Sequence, residues 1–208
     1  LGVDVDMTLG DVREQIERAE VSNENPIPAG MSKADYAEIM FQRCLNEDDD
    51  FDLLVMGRTQ GKGCYCYVNG LLQAQMQKLL PGYKYMVVDN EAGMEHISRG
   101  ILPKVDTLIL VSDCSRRGVQ AAGRIAELAK DCNVTPKTMG LIVNRAPGGK
   151  LNSGTMEEIE KQGLTLLGVV PHDDQVYEYD CEGKPTVELP DSSPVRVALD
   201  EIINRLDL

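Results

Sequence analysis

The chain has 208 residues, with 42% hydrophobic and 26% charged side chains, a length and composition typical of a globular domain with its own core. Its formal net charge of -13 argues against a nucleic-acid partner, because phosphate backbones are bound by basic surfaces. No apolar run approaches the roughly 18 residues of a membrane-spanning helix, and the six scattered cysteines favour reduced thiols in a cytoplasmic protein.

The first half of the chain alternates helical and extended patterns. Leu9–Ala19 is helix-like, and Ser32 is placed to cap a second helix that runs to about Asn46. The short apolar run at 51–57, "FDLLVMG", predicts a buried strand. A further helix is predicted over 71–80, and "YKYMVVD" at 83–89 predicts the next strand.

The second half repeats this alternation more clearly. Apolar runs predict strands at 106–112, 139–144 and 164–170, and helical patterns occupy 115–131, 154–163 and 193–206. Strands that are apolar throughout and alternate with helices indicate a mostly parallel sheet covered on both faces. We therefore predict a doubly wound α/β fold, formed by residues 1–208 as a single domain.

One strand end in this fold has the pattern of a Walker B motif. Ligands bind at the carboxyl ends of the strands of such sheets. In "MVVDNEAG" at 86–93 the apolar run ends in Asp89, and Gly93 follows. In this interpretation Asp89 holds a magnesium ion, and Gly93 lets a backbone N–H approach a terminal phosphate. The alternative is that Asp89 is a helix cap or a turn residue.

Asn144 ends another predicted strand. Its amide group offers a paired donor and acceptor to the edge of a purine base, and the alternative is an Asx turn. The two histidines, His96 and His172, are isolated in the sequence, and neither is assigned a role.

Cys64 and Cys66 lie one residue apart in "KGCYCYVNG" at 62–70. In an extended segment their Cα atoms would lie about 6.5–7 Å apart, at the upper limit of disulfide geometry, whereas two thiolates bind one metal ion comfortably. The alternative is a pair of small buried side chains. If a metal ion is bound, two ligands leave a tetrahedral site half filled, and a second copy related by a two-fold axis would complete a Cys₄ site.

Five segments carry a resemblance to a known family. They are "GCYCYVN" (63–69), "VVDNEAGMEHISRG" (87–100), "VSDCSRRGVQAAGRIAEL" (111–128), "LIVNR" (141–145) and "GVVPHDDQV" (168–176). Together they resemble the nickel-insertion accessory ATPases of carbon monoxide dehydrogenase, the CooC-type proteins. These proteins belong to the deviant-Walker P-loop class, which includes nitrogenase iron protein and the septum-site and plasmid-partition ATPases. The resemblance implies a P-loop NTPase fold like that of nitrogenase iron protein.

The resemblance implies a nucleotide site that takes ATP or ADP with Mg²⁺. Asp89 matches the switch acid near magnesium, and Gly93 matches the switch glycine beside the terminal phosphate. Asn144 and Arg145 match the pair at the adenine end. Pro171 matches the proline of the segment that closes over the base.

The resemblance also implies a metal site and a function. Cys64 and Cys66 match the metal-binding pair that joins two subunits, so the expected assembly is a homodimer that holds Ni²⁺ or Zn²⁺. The expected function is that of an ATP-dependent nickel metallochaperone, whose client is apo carbon monoxide dehydrogenase or the acetyl-CoA synthase complex.

One departure from the family concerns the phosphate end. The glycine-rich phosphate loop that follows the first strand of the family is not found in the 208 residues. We therefore expect that the chain is N-terminally incomplete, and that as given it does not bind or hydrolyse ATP well. The alternative function is a non-hydrolytic metal-binding module for dimerisation or regulation, with a vestigial nucleotide site.

Overall fold

Two compact units make up the computed structural model of the protein. The first unit is Val3–Asp89, and the second is Leu1–Gly2 with Asn90–Leu208. Within them the structure describes residues 1–21, 26–57, 70, 74, 77–90 and 105–206.

The first unit contains two helices and a small hairpin. Its elements are α1 (Leu9–Val21), α2 (Lys33–Cys44), β1 (Leu45–Glu47) and β2 (Asp52–Leu54), and the two strands pair antiparallel. Ser32 caps α2 as predicted, because its hydroxyl oxygen accepts a hydrogen bond from the backbone N–H of Asp35 at 3.1 Å. At the start of α1 the Thr8 hydroxyl donates to the Asp11 carboxylate at 2.7 Å, which lowers the pKa of Asp11.

The core of the first unit lies between its two helices. Both contribute apolar side chains at helical spacing, and these side chains are buried together: Leu9, Val12 and Ile16 of α1, and Tyr36, Ala37, Met40, Phe41 and Cys44 of α2. Phe41 is fully buried, and burial of such a side chain contributes about 1.5–3 kcal/mol. Each helix therefore packs with its apolar face against the other.

The predicted strands of the first half agree less well with the structure. The run at 51–57 forms a strand only over Asp52–Leu54. The prediction of a strand at 83–89 is wrong, since Tyr83–Asp89 has no regular structure and Val87 is 90% exposed. No strand in the described part of the chain pairs with this segment, and an apolar run needs such a neighbour to become a strand. Of the helix predicted at 71–80, Gln77–Leu79 are helical, and most of the remainder lies outside the described residues.

The second unit is built on a parallel sheet. Strands β3 (Thr107–Asp113), β4 (Thr138–Ala146) and β5 (Leu166–Pro171) pair in the order β3-β4-β5. Four helices alternate with the strands or follow the last of them: α3 (Arg116–Asp131) after β3, α4 (Ser153–Lys161) after β4, and α5 (Asp174–Glu182) and α6 (Pro194–Arg205) after β5. All three strands fall where the apolar runs predicted them.

Helices cover both faces of this sheet. On one face Leu110 and Leu141 pack with Val119 of α3 and Ile159 of α4. On the other face Ile142 of β4 and Val170 of β5 pack with Ile202 of α6. Gly168 permits this close approach, because a Cβ atom there would lie 2.4 Å from Cγ1 of Ile202. The doubly wound α/β fold is confirmed, and no described helix is long and apolar enough to cross a membrane.

An ion pair between a buried carboxylate and a partly exposed arginine joins α3 to α4. Glu158 is fully buried, and its Oε2 accepts hydrogen bonds from Nη2 of Arg116 at 2.9 Å and from Nε at 3.2 Å. Its Oε1 accepts from the Gln162 amide at 2.8 Å. The hydrogen bonds from Gln162 and Arg116 lower the pKa of Glu158 from 4.5 to about 2. Because a buried carboxylate must be paired, Arg116 of α3 supplies the charge that allows Glu158 of α4 to be buried.

Glu158→Gln tests this ion pair through the pH dependence of stability. Because the pKa of Glu158 is lower in the folded chain, its ionisation stabilises the fold above about pH 4.5, and that contribution is lost as the pH falls towards about 2. The wild type should therefore lose stability relative to Glu158→Gln across this window, as measured by urea midpoints at each pH. Glu157→Gln, at an exposed neighbouring position, is the control and should track the wild type. Parallel curves for wild type and Glu158→Gln would contradict this assignment.

Candidate functional site

The carboxyl ends of the three parallel strands meet along one edge of the sheet. Asp113 at the end of β3 lies opposite Asn144 of β4, and Ala146 of β4 lies opposite Pro171 at the end of β5. The backbone N–H of His172 continues this pairing by donating to the Ala146 carbonyl at 2.9 Å. Of the residues predicted to act on a nucleotide, Asn144, Arg145 and Pro171 are therefore neighbours in the second unit.

Asp113 forms local hydrogen bonds at this edge of the sheet. Its Oδ1 accepts hydrogen bonds from the backbone N–H of Ser115 at 2.9 Å and from the Ser115 hydroxyl at 2.6 Å, and these bonds lower its pKa. The Ser115 oxygen in turn accepts from the N–H of Gly118 and caps α3. A Cβ atom on residue 118 would lie 2.3 Å from the Asp113 carboxylate, so any larger residue there would displace that carboxylate. Asp113 therefore fixes the entry into α3.

Asn144 and Arg145 interrupt the pairing between β4 and β5. The register shifts between Val143 and Ala146, so these two residues form a bulge in the ladder. Arg145 has a φ of 58°, a left-handed conformation that is uncommon for residues other than glycine. Such bulges and strained residues are frequent at binding sites. Arg145 is exposed, and Asn144 is half-buried.

The Asn144 side chain retains hydrogen-bonding capacity. Its Oδ1 accepts a hydrogen bond from the backbone N–H of Arg145 at 2.9 Å. This bond runs to the next residue, so it is not an Asx turn, in which the oxygen accepts from the N–H two residues on. It nevertheless orients the amide. An amide carbonyl can accept a second hydrogen bond, and the NH₂ group can donate two. The local contact and the recognition of a base are therefore compatible.

The end of β5 supplies the other side of this region. Pro171 is half-buried, and a Cβ atom on Gly149 would lie 3.6 Å from the Cβ of Pro171. His172 is exposed, and its Nε2 lies 3.1 Å from the carboxylate of Asp174, which is exposed as well. Asp173 begins α5 by accepting a hydrogen bond from the N–H of Gln175 at 3.0 Å. Sequence reasoning assigned no role to Asp173, although an aspartate before a polar stretch is a recognised N-cap signal.

The remaining predicted site residues are only partly described. Asp89 is exposed and is the last residue of the first unit. Gly93, Cys64 and Cys66 lie outside the described residues. The roles of all four therefore stay predictions.

The described cysteines are free thiols, as expected from their spacing. Cys44 is buried, and burial raises its pKa to about 11, so its thiol stays protonated and unreactive. Cys114 and Cys132 are half-buried, and Cys181 is exposed. In the part of the chain that the structure describes, no group of three or more His, Cys, Asp or Glu side chains is arranged to hold a metal ion.

Comparisons with known proteins place the chain in a family. The model of the "CobQ/CobB/MinD/ParA nucleotide binding domain" family matches residues 3–187. An uncharacterised ATP-binding protein of Methanocaldococcus jannaschii is 38% identical over 208 residues, which cover 99% of this chain and 80% of that protein.

Two further proteins are similar over different extents. The carbon monoxide dehydrogenase accessory protein CooC of Rhodospirillum rubrum is 32% identical over 140 residues, which cover 66% of this chain and 52% of that protein. The chain therefore matches only about half the length of that relative. The crystal structure of a ParA family ATPase from Chlorobium tepidum superimposes with a TM-score of 0.67 at 17% identity, over 97% of this chain and 76% of that one.

The match over residues 3–187 spans both units and includes all three strand ends described above. The likeness to the ParA structure agrees with the parallel sheet and its flanking helices. This chain belongs to the CobQ/CobB/MinD/ParA family of nucleotide-binding domains and has its α/β P-loop NTPase fold.

Proposed function

We propose that this protein is an ATP-dependent nickel metallochaperone that serves the maturation of carbon monoxide dehydrogenase in the cytoplasm. The observation that carries the proposal is the 32% identity to the carbon monoxide dehydrogenase accessory protein, in a chain whose family binds nucleotides. The paired cysteines 64 and 66 add a soft-metal ligand set that nucleotide binding alone does not require.

The nucleotide would lie along the carboxyl edge of the sheet. Asn144 would hydrogen-bond the adenine edge through its amide, with Arg145 beside it and Pro171 against the base. Half-burial of Asn144 supports this assignment, since a partly desolvated amide discriminates between bases better than an exposed one. Asp89 would hold Mg²⁺, and Gly93 would lie beside the terminal phosphate. In this proposal residues 1–208 form a single domain that contains all of these residues.

The cargo would be held between two copies of the chain. Cys64 and Cys66 of each copy supply two thiolates, and four thiolates complete the coordination of one Ni²⁺ or Zn²⁺ ion. ATP binding would favour the closed dimer, because a ligand shifts a conformational equilibrium by its differential affinity for the two states. Hydrolysis would relax the dimer and release the ion to apo carbon monoxide dehydrogenase or to the acetyl-CoA synthase complex.

Asn144→Asp tests the adenine assignment. The aspartate keeps an oxygen that can accept from the Arg145 N–H, but it loses the NH₂ donor and adds a negative charge. We expect the affinity of the full-length protein for ATP to fall by roughly tenfold or more, with a smaller loss for GTP, measured by calorimetry.

Asn133→Asp is the matched control for this substitution. Asn133 also has a positive φ, of 59°, but it follows α3 and precedes β4, at the amino edge of the sheet. The same change of side chain there should leave ATP affinity unchanged. Equal losses in both variants, or no loss in Asn144→Asp, would contradict the assignment.

The double variant Cys64→Ala/Cys66→Ala tests the metal site. The full-length wild type should hold one Ni²⁺ or Zn²⁺ ion per two protomers, and the variant should hold none. The measurement is metal analysis after equilibrium dialysis, combined with sizing with and without ATP. Cys132→Ala/Cys181→Ala removes the same number of thiols, one half-buried and one exposed, and should retain the metal ion.

The outcomes of the metal experiment separate the possible functions. Metal binding by Cys64→Ala/Cys66→Ala at the wild-type stoichiometry would overturn the transfer role of this pair. Metal-dependent dimerisation without ATP binding or hydrolysis by the full-length protein would indicate a non-hydrolytic dimerisation module instead.

A further inference from the structure

Ser193 occupies the N-cap position of α6, but its side chain does not cap that helix. N-cap serines usually accept a hydrogen bond from the second or third N–H of their own helix. Here the Ser193 hydroxyl donates instead to Oδ2 of Asp173 at 3.1 Å. Ser193 is 2% exposed and Asp173 is half-buried, so the bond is partly shielded from water. The first residue of α6 is Pro194, which has no N–H to satisfy.

The two carboxylate oxygens of Asp173 accept hydrogen bonds from two different parts of the chain. Oδ1 accepts from the N–H of Gln175 and starts α5, and Oδ2 accepts from Ser193. One side chain therefore ties together the two ends of the β5–α6 connection, residues 172–193. We call the hydrogen bond between the two side chains the Asp173–Ser193 latch.

Within this connection, α5 makes few contacts that hold it in place. Helix α5 buries none of its residues, and Tyr177 on it is 68% exposed. Near its far end Arg196 donates to the carbonyl groups of Leu189 at 2.6 Å and Val187 at 3.2 Å. Leu189, near the far end, is buried, but α5 itself has little buried surface and opens locally at low cost. The placement of α5 at the β5 end therefore depends on the two hydrogen bonds of Asp173.

The latch lies directly behind the carboxyl edge of the sheet. Asp173 is two residues after Pro171, which pairs with Ala146, and His172 donates to the same Ala146 carbonyl. Ala146 in turn is two residues after Asn144. Asp173 is therefore connected to the residues proposed to hold adenine through one short strand end.

We propose that the Asp173–Ser193 latch positions residues 171–175 against the adenine end of the site and thereby sets how long nucleotide stays bound. The proposal rests on the nucleotide-binding function proposed above. Asp173 is in this account a positioning residue, which acts through Pro171 and His172. Loss of the latch should speed nucleotide release while leaving metal binding at the paired cysteines unchanged.

Ser193→Ala in the full-length protein is the direct test. Release of a fluorescent ADP analogue, followed by stopped flow, should become about tenfold faster, the change expected when one hydrogen bond to a charged group is lost. Hydrogen–deuterium exchange of the nucleotide-free protein should increase at 172–176. Ser192→Ala removes an exposed neighbouring hydroxyl and should change neither measurement.

A second control separates positioning from general loosening of the connection. Arg196→Ala removes the bonds to Val187 and Leu189 but leaves the latch in place, so it should increase exchange at 186–190 without speeding release. Equal acceleration of release by Arg196→Ala and Ser193→Ala would overturn the proposal. Asp173→Asn, which keeps one of the two acceptor oxygens, is the second latch variant should Ser193→Ala fold poorly, and it too should speed release.

The remaining outcomes distinguish this proposal from the function on which it rests. Normal nucleotide binding by the wild type with unchanged release from both latch variants would overturn the latch alone. Faster exchange at 172–176 without faster release would reduce the latch to a structural contact and overturn its positioning role. A full-length wild type that does not bind the ADP analogue would overturn the proposed function and the latch proposal with it.

Discussion

The parallel pairing of β3, β4 and β5 is the constraint on which the candidate site depends. Seven consecutive residue pairs hold β3 and β4 in register, from Thr107 with Thr138 to Asp113 with Asn144. Parallel strands bring their carboxyl ends to one edge, so residues distant in sequence become neighbours there without contacts of their own. The pairing of β4 with β5 is interrupted at Asn144 and Arg145, the two residues with spare hydrogen-bonding groups. Regular pairing holds the strands in register, and the bulge carries the two residues proposed to bind adenine.

Side-chain oxygens stabilise each strand end as it leaves the sheet. Asp113 receives two hydrogen bonds from Ser115, Asn144 receives one from Arg145, and Asp173 receives one from Gln175. Three of these bonds, one at each strand end, satisfy a backbone N–H that the ladder does not use, and the fourth comes from the Ser115 hydroxyl. The edge is therefore ordered by its own residues, and a ligand that binds there meets groups already in place. Such preorganisation reduces the entropy lost on binding.

Much of the second unit could be predicted from the sequence, because its strands and helices bury continuous apolar surfaces. The runs at 106–112, 139–144 and 164–170 all became strands of one sheet. The similar run at 83–89 did not. An apolar run indicates a tendency to be buried, but pairing depends on a neighbour that the run itself does not specify. Helix α5 was missed for the opposite reason, since it buries no residue and so has no apolar stripe. Its signals were the Asp173 cap and Gly183 in the left-handed conformation at its end.

The candidate site was predictable to the extent that strand ends mark it. Asn144, Arg145 and Pro171 could be found from the residues that follow the apolar runs, and the register of the sheet brings them together. The contact between Asp173 and Ser193 could not, because it joins residues 20 positions apart across a segment with no predicted structure. The left-handed backbone of Arg145 also has no signal in the sequence, since it follows from the bulge in the ladder.

The most direct measurement of the central claim is photoaffinity labelling of the full-length protein with an azido-adenine analogue of ATP, followed by mass-spectrometric mapping of the labelled peptides. If the adenine end lies at the carboxyl edge of the sheet, the label attaches within residues 144–149 or 171–175, and excess ATP suppresses it. Label that ATP suppresses equally well but that attaches only to α1 or α2 of the first unit would contradict the account.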